Sequence, residues 1–183
     1  MSLRSLAALL VGLSLWSGAA LAAEPDWQAY RNDEFGVATA LPAAPQTVTN
    51  STPAEGERPA LKTVIVSSSF GADRFYSLQM TRSTRPPDDV DAKLATLAGV
   101  LSEKLNLPVI SQTRFTFQGL PALDLVLGPS SDNVYIRGRF VLRGGDLVQL
   151  LTSRVGEAPP LDRFYSDFKL DPVSPGGVPA GGL

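Results

Sequence analysis

The chain has 183 residues, with 16 Lys and Arg against 18 Asp and Glu, and it contains neither Cys nor His. A formal net charge of −2 is too mild to argue for nucleic acid or an anionic membrane as partner. Without Cys and His there is no disulfide, no Ser-His-Asp or Cys-His nucleophile, no imidazole base, no ordinary zinc site and no Cys-x-x-Cys-His haem attachment, so no cofactor is expected.

Residues 1–5 are short and basic through Arg4, and residues 6–16 form an apolar run without a charge. Ser17, Gly18 and Ala19 break that run, and Ala20-Leu21-Ala22 follows. This is the layout of a cleavable Sec-type signal peptide, with the small residues Ala20 and Ala22 placed for cleavage after Ala22. The run is well short of the ~20 residues that cross a bilayer as a helix, so no stable membrane insertion is expected once the leader is removed. No Cys is available for a lipid anchor and no Arg-Arg pair precedes the run, so the Sec route is expected, to the periplasm or beyond the cell. Residues 23–171 are expected to form one domain, and the Pro- and Gly-rich residues 172–183 a disordered tail.

Within the domain, residues 24–30 read as a short turn or helix carrying Trp27, and residues 36–41 as a short apolar strand ended by Pro42 and Pro45. The polar residues 46–59, with Ser, Thr, Asn, Gly and two prolines, read as an exposed loop. Residues 61–70 and 75–82 alternate apolar and polar side chains about the turn Gly71-Ala72-Asp73, which predicts a β-hairpin. Val90, Leu94, Leu97, Leu101 and Leu105 then recur at steps of three and four, the period of an amphipathic helix. Asp88 is its expected N-cap with Asp91 as box partner, and Asn106 and Pro108 stop it.

Period two returns in residues 109–117, 120–127, 134–142 and 147–152, separated by short turns that require antiparallel neighbours. Pro159-Pro160 opens a short helix over residues 161–168. Strands, helix, strands, helix in this order predict an α+β domain, mostly antiparallel sheet with helices packed on it. The run Leu147-Val148-Gln149-Leu150-Leu151 is apolar toward both faces, which predicts a sheet covered on both sides, a three-layer α-β-α sandwich.

The order of several short motifs resembles a known family. Glu34-Phe35-Gly36-Val37 leads into a strand ending Leu41-Pro42-x-x-Pro45; Phe117-x-Gly119-x-Pro121 makes a turn; a strand from Tyr135 to Arg143 precedes a Gly-containing hairpin; and Phe164-x-x-x-Phe168 closes the pattern. From Trp27 to Leu170 the chain is similar to small exported bacterial proteins of the PsbP-like α-β-α fold, named for the extrinsic PsbP protein of photosystem II. The resemblance implies a non-catalytic binding or assembly role. No metal- or partner-binding residue set of the photosynthetic protein maps onto this chain, so a photosystem role is not implied.

Candidate sites weigh against plainer readings. Asp88, Asp89 and Asp91 lack the glycine and closing Glu of a calcium loop, and helix capping accounts for them. Arg137, Arg139 and Arg143 share a strand face with Tyr135, with Arg114 and Arg154 on other strands, and if they converge they can hold a carboxylate or phosphate. The plainer reading pairs them across strands with acids such as Asp124. Trp27, Tyr30 and Phe35 line a pocket or, more simply, anchor the start of the domain to its core. The leading expectation is a non-enzymatic binding or assembly module of the cell envelope, contacting an envelope protein or a small anionic ligand. The alternatives are a hydrolase of envelope material built on carboxylate, Ser or Lys chemistry, and an accessory protein that recruits a partner through its tail.

Overall fold

The computed structural model describes residues 25–172; the expected leader with Ala20 and Ala22, and all but the first residue of the expected tail, lie outside the described residues. The alternating segments pair into a seven-stranded antiparallel sheet in the order β3-β4-β5-β9-β8-β7-β6. Its strands are β3 (Gln46–Thr52), β4 (Leu61–Phe70), β5 (Arg74–Ser83), β6 (Val109–Phe117), β7 (Leu120–Leu127), β8 (Val134–Arg143) and β9 (Asp146–Val155). A three-stranded antiparallel sheet joins β1 (Trp27–Asn32), β2 (Val37–Pro42) and β10 (Lys169–Leu170) in the order β1-β2-β10. Helix α1 spans Val90–Leu105, and α2 is a single turn, Arg163–Ser166.

Successive strand residues point to opposite faces, so the register sorts the large sheet into two cores. On one face Val64, Val66, Tyr76, Leu78, Met80, Val148 and Leu150 meet Phe35, Val37 and Leu41 of the small sheet and its entry loop, and Phe164, Tyr165 and Phe168 around α2. On the other, Leu123, Leu125, Leu127, Phe140 and Leu142 meet Leu94 and Ala98 of α1. Along β9 both faces contribute to a core, as the Leu147–Leu151 run predicts: Val148 and Leu150 enter the first, while Leu147 and Leu151 pack at the margin of the second.

The α-β-α sandwich is not evident, because only α1 is a substantial helix. The opposite cover is a small β-sheet with one helical turn, and α1 itself packs chiefly on β6 and β7, with Phe140 and Leu142 of β8 in the same core. Two further elements differ from expectation. The segment read as a turn or helix carrying Trp27 is strand β1, paired along its whole length with β2. The polar segment read as a loop contains β3, a fully exposed edge strand paired with β4.

Helix α1 starts one residue later than the sequence suggests. Asp89 is extended (φ −128°, ψ 103°), and its side chain accepts from the Ala92 N–H at 2.8 Å, so it rather than Asp88 is the N-cap. Asp91 is not a box partner; it pairs with Arg114 of β6 and so fastens the first turn of the helix to the sheet. Asn106 closes the helix in the left-handed region, φ 53°. Among the described residues no helix is long and apolar enough to cross a membrane.

Candidate functional site

Strand β8 presents Tyr135, Arg137, Arg139 and Arg143 on the face toward the small sheet, and the register gives each arginine its own partner. Arg139 lies opposite Asp124 of β7 and donates to both carboxylate oxygens at 2.8 Å. Its guanidinium also rests within 5.1–5.7 Å of the Phe115, Phe117 and Tyr165 ring centres. Arg137 donates through Nε to the Pro159 carbonyl at 2.5 Å, holding the segment that leads into α2. Arg143 donates to the Phe35 and Asp171 carbonyls and stands 3.4 Å from Asp146. Arg114 takes no part in this row, because it lies on the α1 face with Asp91. Arg137 and Arg143 therefore fasten segments over the large sheet, while Arg139 is paired within the sheet. Tyr135 instead lies directly across from Arg154.

That fourth position leads to a cluster that residue patterns do not disclose. Arg74 of β5 and Arg154 of β9 are direct cross-strand partners, and Phe70 and Tyr135 extend the row on either side. In the next row stand Ser68, Tyr76, Thr152 and Arg137. The Tyr76 hydroxyl donates to Asp162 at 2.8 Å, and Asp162 also caps α2 through the Phe164 N–H at 3.2 Å. Burial pushes the Tyr76 phenol well above its ordinary range, and the nearby Asp162 charge adds to the rise. Burial likewise lifts the Asp162 carboxyl, against the pull of its hydrogen bonds and of Arg74. Tyr165 is buried beside this row, donates to the Arg137 carbonyl at 2.9 Å, and has its phenol raised chiefly by burial. Register alone joins Arg74 to Arg154; each is an unremarkable strand residue until the pairing of β5 with β9 is known.

The aromatic trio acts in the core. Phe35 is fully buried beneath the Arg82 guanidinium, 4.6 Å from its ring centre, and Trp27 meets Tyr76 edge-on at 5.7 Å. Tyr30 packs at the margin of the same core. Among the described residues no group of His, Cys, Asp or Glu is arranged to hold a metal ion.

A third feature is the part of the large sheet that α1 leaves open. On the α1 side of β3, β4, β5 and β9, one cross-strand row is Val48, Ile65, Gln79 and Gln149. The flanking rows are Asn50, Thr63 and Thr81, and Gln46, Ser67 and Ser77, each ending on β9 at a leucine, Leu147 or Leu151, that packs at the margin of the α1 core. None of these side chains is charged.

No protein-family model and no curated protein sequence matches the chain. The solution structure of cyanobacterial PsbP (CyanoP) from Synechocystis sp. PCC 6803 is similar to it, with a TM-score of 0.54 at 14% identity, covering 87% of this chain and 99% of that one. The chain therefore has a PsbP-like fold. A protein of unknown function from Pseudomonas aeruginosa, PA94, aligns over 71% of this chain and 83% of its own at 16% identity; its TM-score of 0.34 is too slight to bear on fold.

Proposed function

We propose that the chain is a non-enzymatic binding or assembly module of the cell envelope, exported by its leader, which engages a protein partner through the helix-free half of its seven-stranded sheet. The composition of that face carries the reading. Three rows over four strands contain hydroxyls, amides and a few aliphatic side chains without one Asp, Glu, Lys or Arg. Depletion of charge is what marks the centre of protein interfaces. The partner is accordingly an envelope protein with an uncharged contact surface that offers hydrogen-bonding groups to Gln79 and Gln149 and apolar contact to Val48 and Ile65. The role implied by the PsbP resemblance is of the same kind.

A photo-crosslinking residue placed at Gln79 in the native host tests this, with the same residue at Glu103, exposed on α1, as the control. A discrete heavier adduct from position 79 alone is expected. Adducts from neither position, or equally from both, would overturn the reading. Export is tested separately: the native protein should begin at Ala23, and one that still begins at Met1 contradicts it.

A second reading, a carboxylate-based hydrolase of envelope material, has one observation in its favour: Asp162 holds its proton above the ordinary range beside Tyr76. Steady turnover by the purified protein, abolished by Asp162→Asn, would decide for it.

A further inference from the structure

Among the described residues the two sheets present four edge strands, β1 and β10 in the small sheet and β3 and β6 in the large one. An open edge offers unpaired N–H and C=O groups to any other strand, and proteins blunt such edges with charge, proline, a bulge or brevity. Three of the four carry such a device. Strand β6 has a bulge between Val109 and Ser111 and carries Arg114. Strand β1 carries Arg31, which pairs with Asp33 and Asp171. Strand β10 is two residues long, and the Gln118 side chain accepts from its Leu170 N–H at 2.9 Å. Strand β3 has none of these. Its seven residues hold no charge and no proline, its register with β4 is unbroken, and all seven are exposed.

We infer that β3 pairs antiparallel with β3 of a second copy of this chain, and that the two large sheets continue into one across a two-fold axis at Thr49. The strand is complementary to itself about that residue. Thr47, Thr49 and Ser51 share the face of Val64 and Val66, toward the small sheet. With Thr49 opposite its own copy, Thr47 meets Ser51 on this face, a ladder of hydroxyl pairs of the kind that favours strand pairing. On the other face Val48 meets Asn50 and Gln46 meets Thr52, so no position sets like charges against each other. The charged loop that follows, with Glu55, Glu57 and Arg58, is sent to opposite ends of the seam by the antiparallel arrangement.

A second copy is the occupant because a single open edge gives a closed assembly. Were β6 open as well, the same contact would propagate into a filament; with β6 blunted it stops at two chains. A seam of seven residues is a small interface, of the reversible class that buries less than about 1,200 Å², so the dimer dissociates on dilution. The two-fold axis runs through the sheet, so both helix-free faces lie on one side. Strands β9, β5, β4 and β3 of each copy then form one uncharged surface with an α1 helix beyond each end. The dimer rests on the edge alone and does not require the partner proposed for that face. Gln79 lies on β5, two strands in from the seam, so an adduct formed there reports a different protein, and either reading can fail without the other.

Sedimentation velocity of the exported protein from about 1 μM to about 1 mM should show a reversible monomer–dimer equilibrium and nothing larger. Thr49→Lys sets two like charges face to face at the axis and should weaken the dimer about tenfold or more, with the circular dichroism of the monomer unchanged. The chain has no Cys, so Thr49→Cys supplies its only thiol, opposite itself across the seam. Copper-phenanthroline oxidation should link that variant into a disulfide dimer and leave Thr113→Cys, exposed on β6, largely unlinked. A wild type that stays monomeric throughout overturns the proposal and leaves the β3 edge to a strand of another protein. Species that grow beyond the dimer, undiminished pairing in Thr49→Lys, or equal linking of the two cysteine variants overturn it as well. Should Thr49→Lys fail to fold, the wild type and the cysteine variants decide.

Discussion

Arg139 satisfies a charge between two layers by three means at once. A bidentate bond neutralises it, three aromatic rings shield it, and its own strand holds it opposite Asp124. The pair is only 12% and 22% exposed, so losing one member strands the other where water reaches it poorly. Arg139→Met should therefore destabilise the protein by about 2–4 kcal/mol in urea unfolding, and adding Asp124→Leu should recover much of the loss. A single variant within about 0.5 kcal/mol of wild type would mean that the pair is solvated after all. Asp162 behaves differently, because burial raises its carboxyl above the ordinary value of 3.8. The folded chain then binds that proton more tightly than the unfolded chain does. The resulting stability is complete below the unfolded value and fades as pH climbs through the raised folded value. Asp162→Asn keeps one acceptor oxygen, for the Phe164 N–H, and offers the Tyr76 hydroxyl an N–H in place of the second oxygen, but cannot titrate. Wild type should accordingly gain stability relative to this variant as the pH falls from 7 toward 4, and a difference that stays flat would contradict the raised value.

Elements with one buried face were legible in the sequence, and those without one were not. The α1 stripe and the alternating segments of β4 to β9 announce themselves because burial enforces a period of 3.6 or 2. Strand β3 carries no such signal, since every residue in it is exposed and Ser, Thr and Asn are as common in loops. Strand β1 is short, with only Trp27, Tyr30 and Asn32 less than exposed, and it is held by pairing with β2 rather than by its own pattern. For the same reason the second helical layer was expected where a small sheet stands: covering a face requires apolar side chains, and their number does not state the secondary structure that carries them. The Arg74–Arg154 row was hidden because a one-residue slip in β9 would send Arg154 to the other face. Two glycines test the element descriptions directly. Gly99 lies exposed in α1, and a methyl group there meets nothing within 4 Å, so Gly99→Ala should stabilise by about 0.5–1 kcal/mol. Gly138 in β8 leaves the Phe140 ring its place: a Cβ would lie 2.7 Å from it and 2.9 Å from Leu151. Gly138→Ala should cost about 1–3 kcal/mol through overpacking. Thermal or urea unfolding of the two variants should move in opposite directions, and a shift in the same direction would mean that one of the two elements is wrongly placed.

At the scale of the whole molecule, the question is whether the small sheet is an appendage or part of the same cooperative body. At one end the loop carrying Phe35 is pinned by Arg82 and Arg143, both of which pair with Asp146, while Lys62 holds Glu34 at 2.7 Å. At the other end Trp27 packs on Tyr76, Tyr76 on Phe164 at 5.5 Å, and Tyr76 donates to Asp162. Thr39 donates to the Phe164 carbonyl at 2.6 Å, and Ser68 of β4 to the Pro42 carbonyl. Between these ties Phe35, Val37, Leu41, Phe164, Tyr165 and Phe168 are buried, each removed from water at a gain of about 1.5–3 kcal/mol. Peeling the small sheet and α2 away would forfeit roughly 9 kcal/mol or more, comparable with the roughly 5–15 kcal/mol of a whole domain. An intermediate lacking that layer should not accumulate. Trp27 makes the prediction measurable, because it is the sole tryptophan outside the expected leader and it sits at the seam between the layers. Its fluorescence reports the docking of β1, while far-UV circular dichroism reports chiefly the large sheet and α1. In urea the two transitions should coincide in midpoint and in slope. A Trp27 transition that precedes the loss of dichroism would show that the layer opens on its own, and that the shared core does not bind the two sheets into one unit.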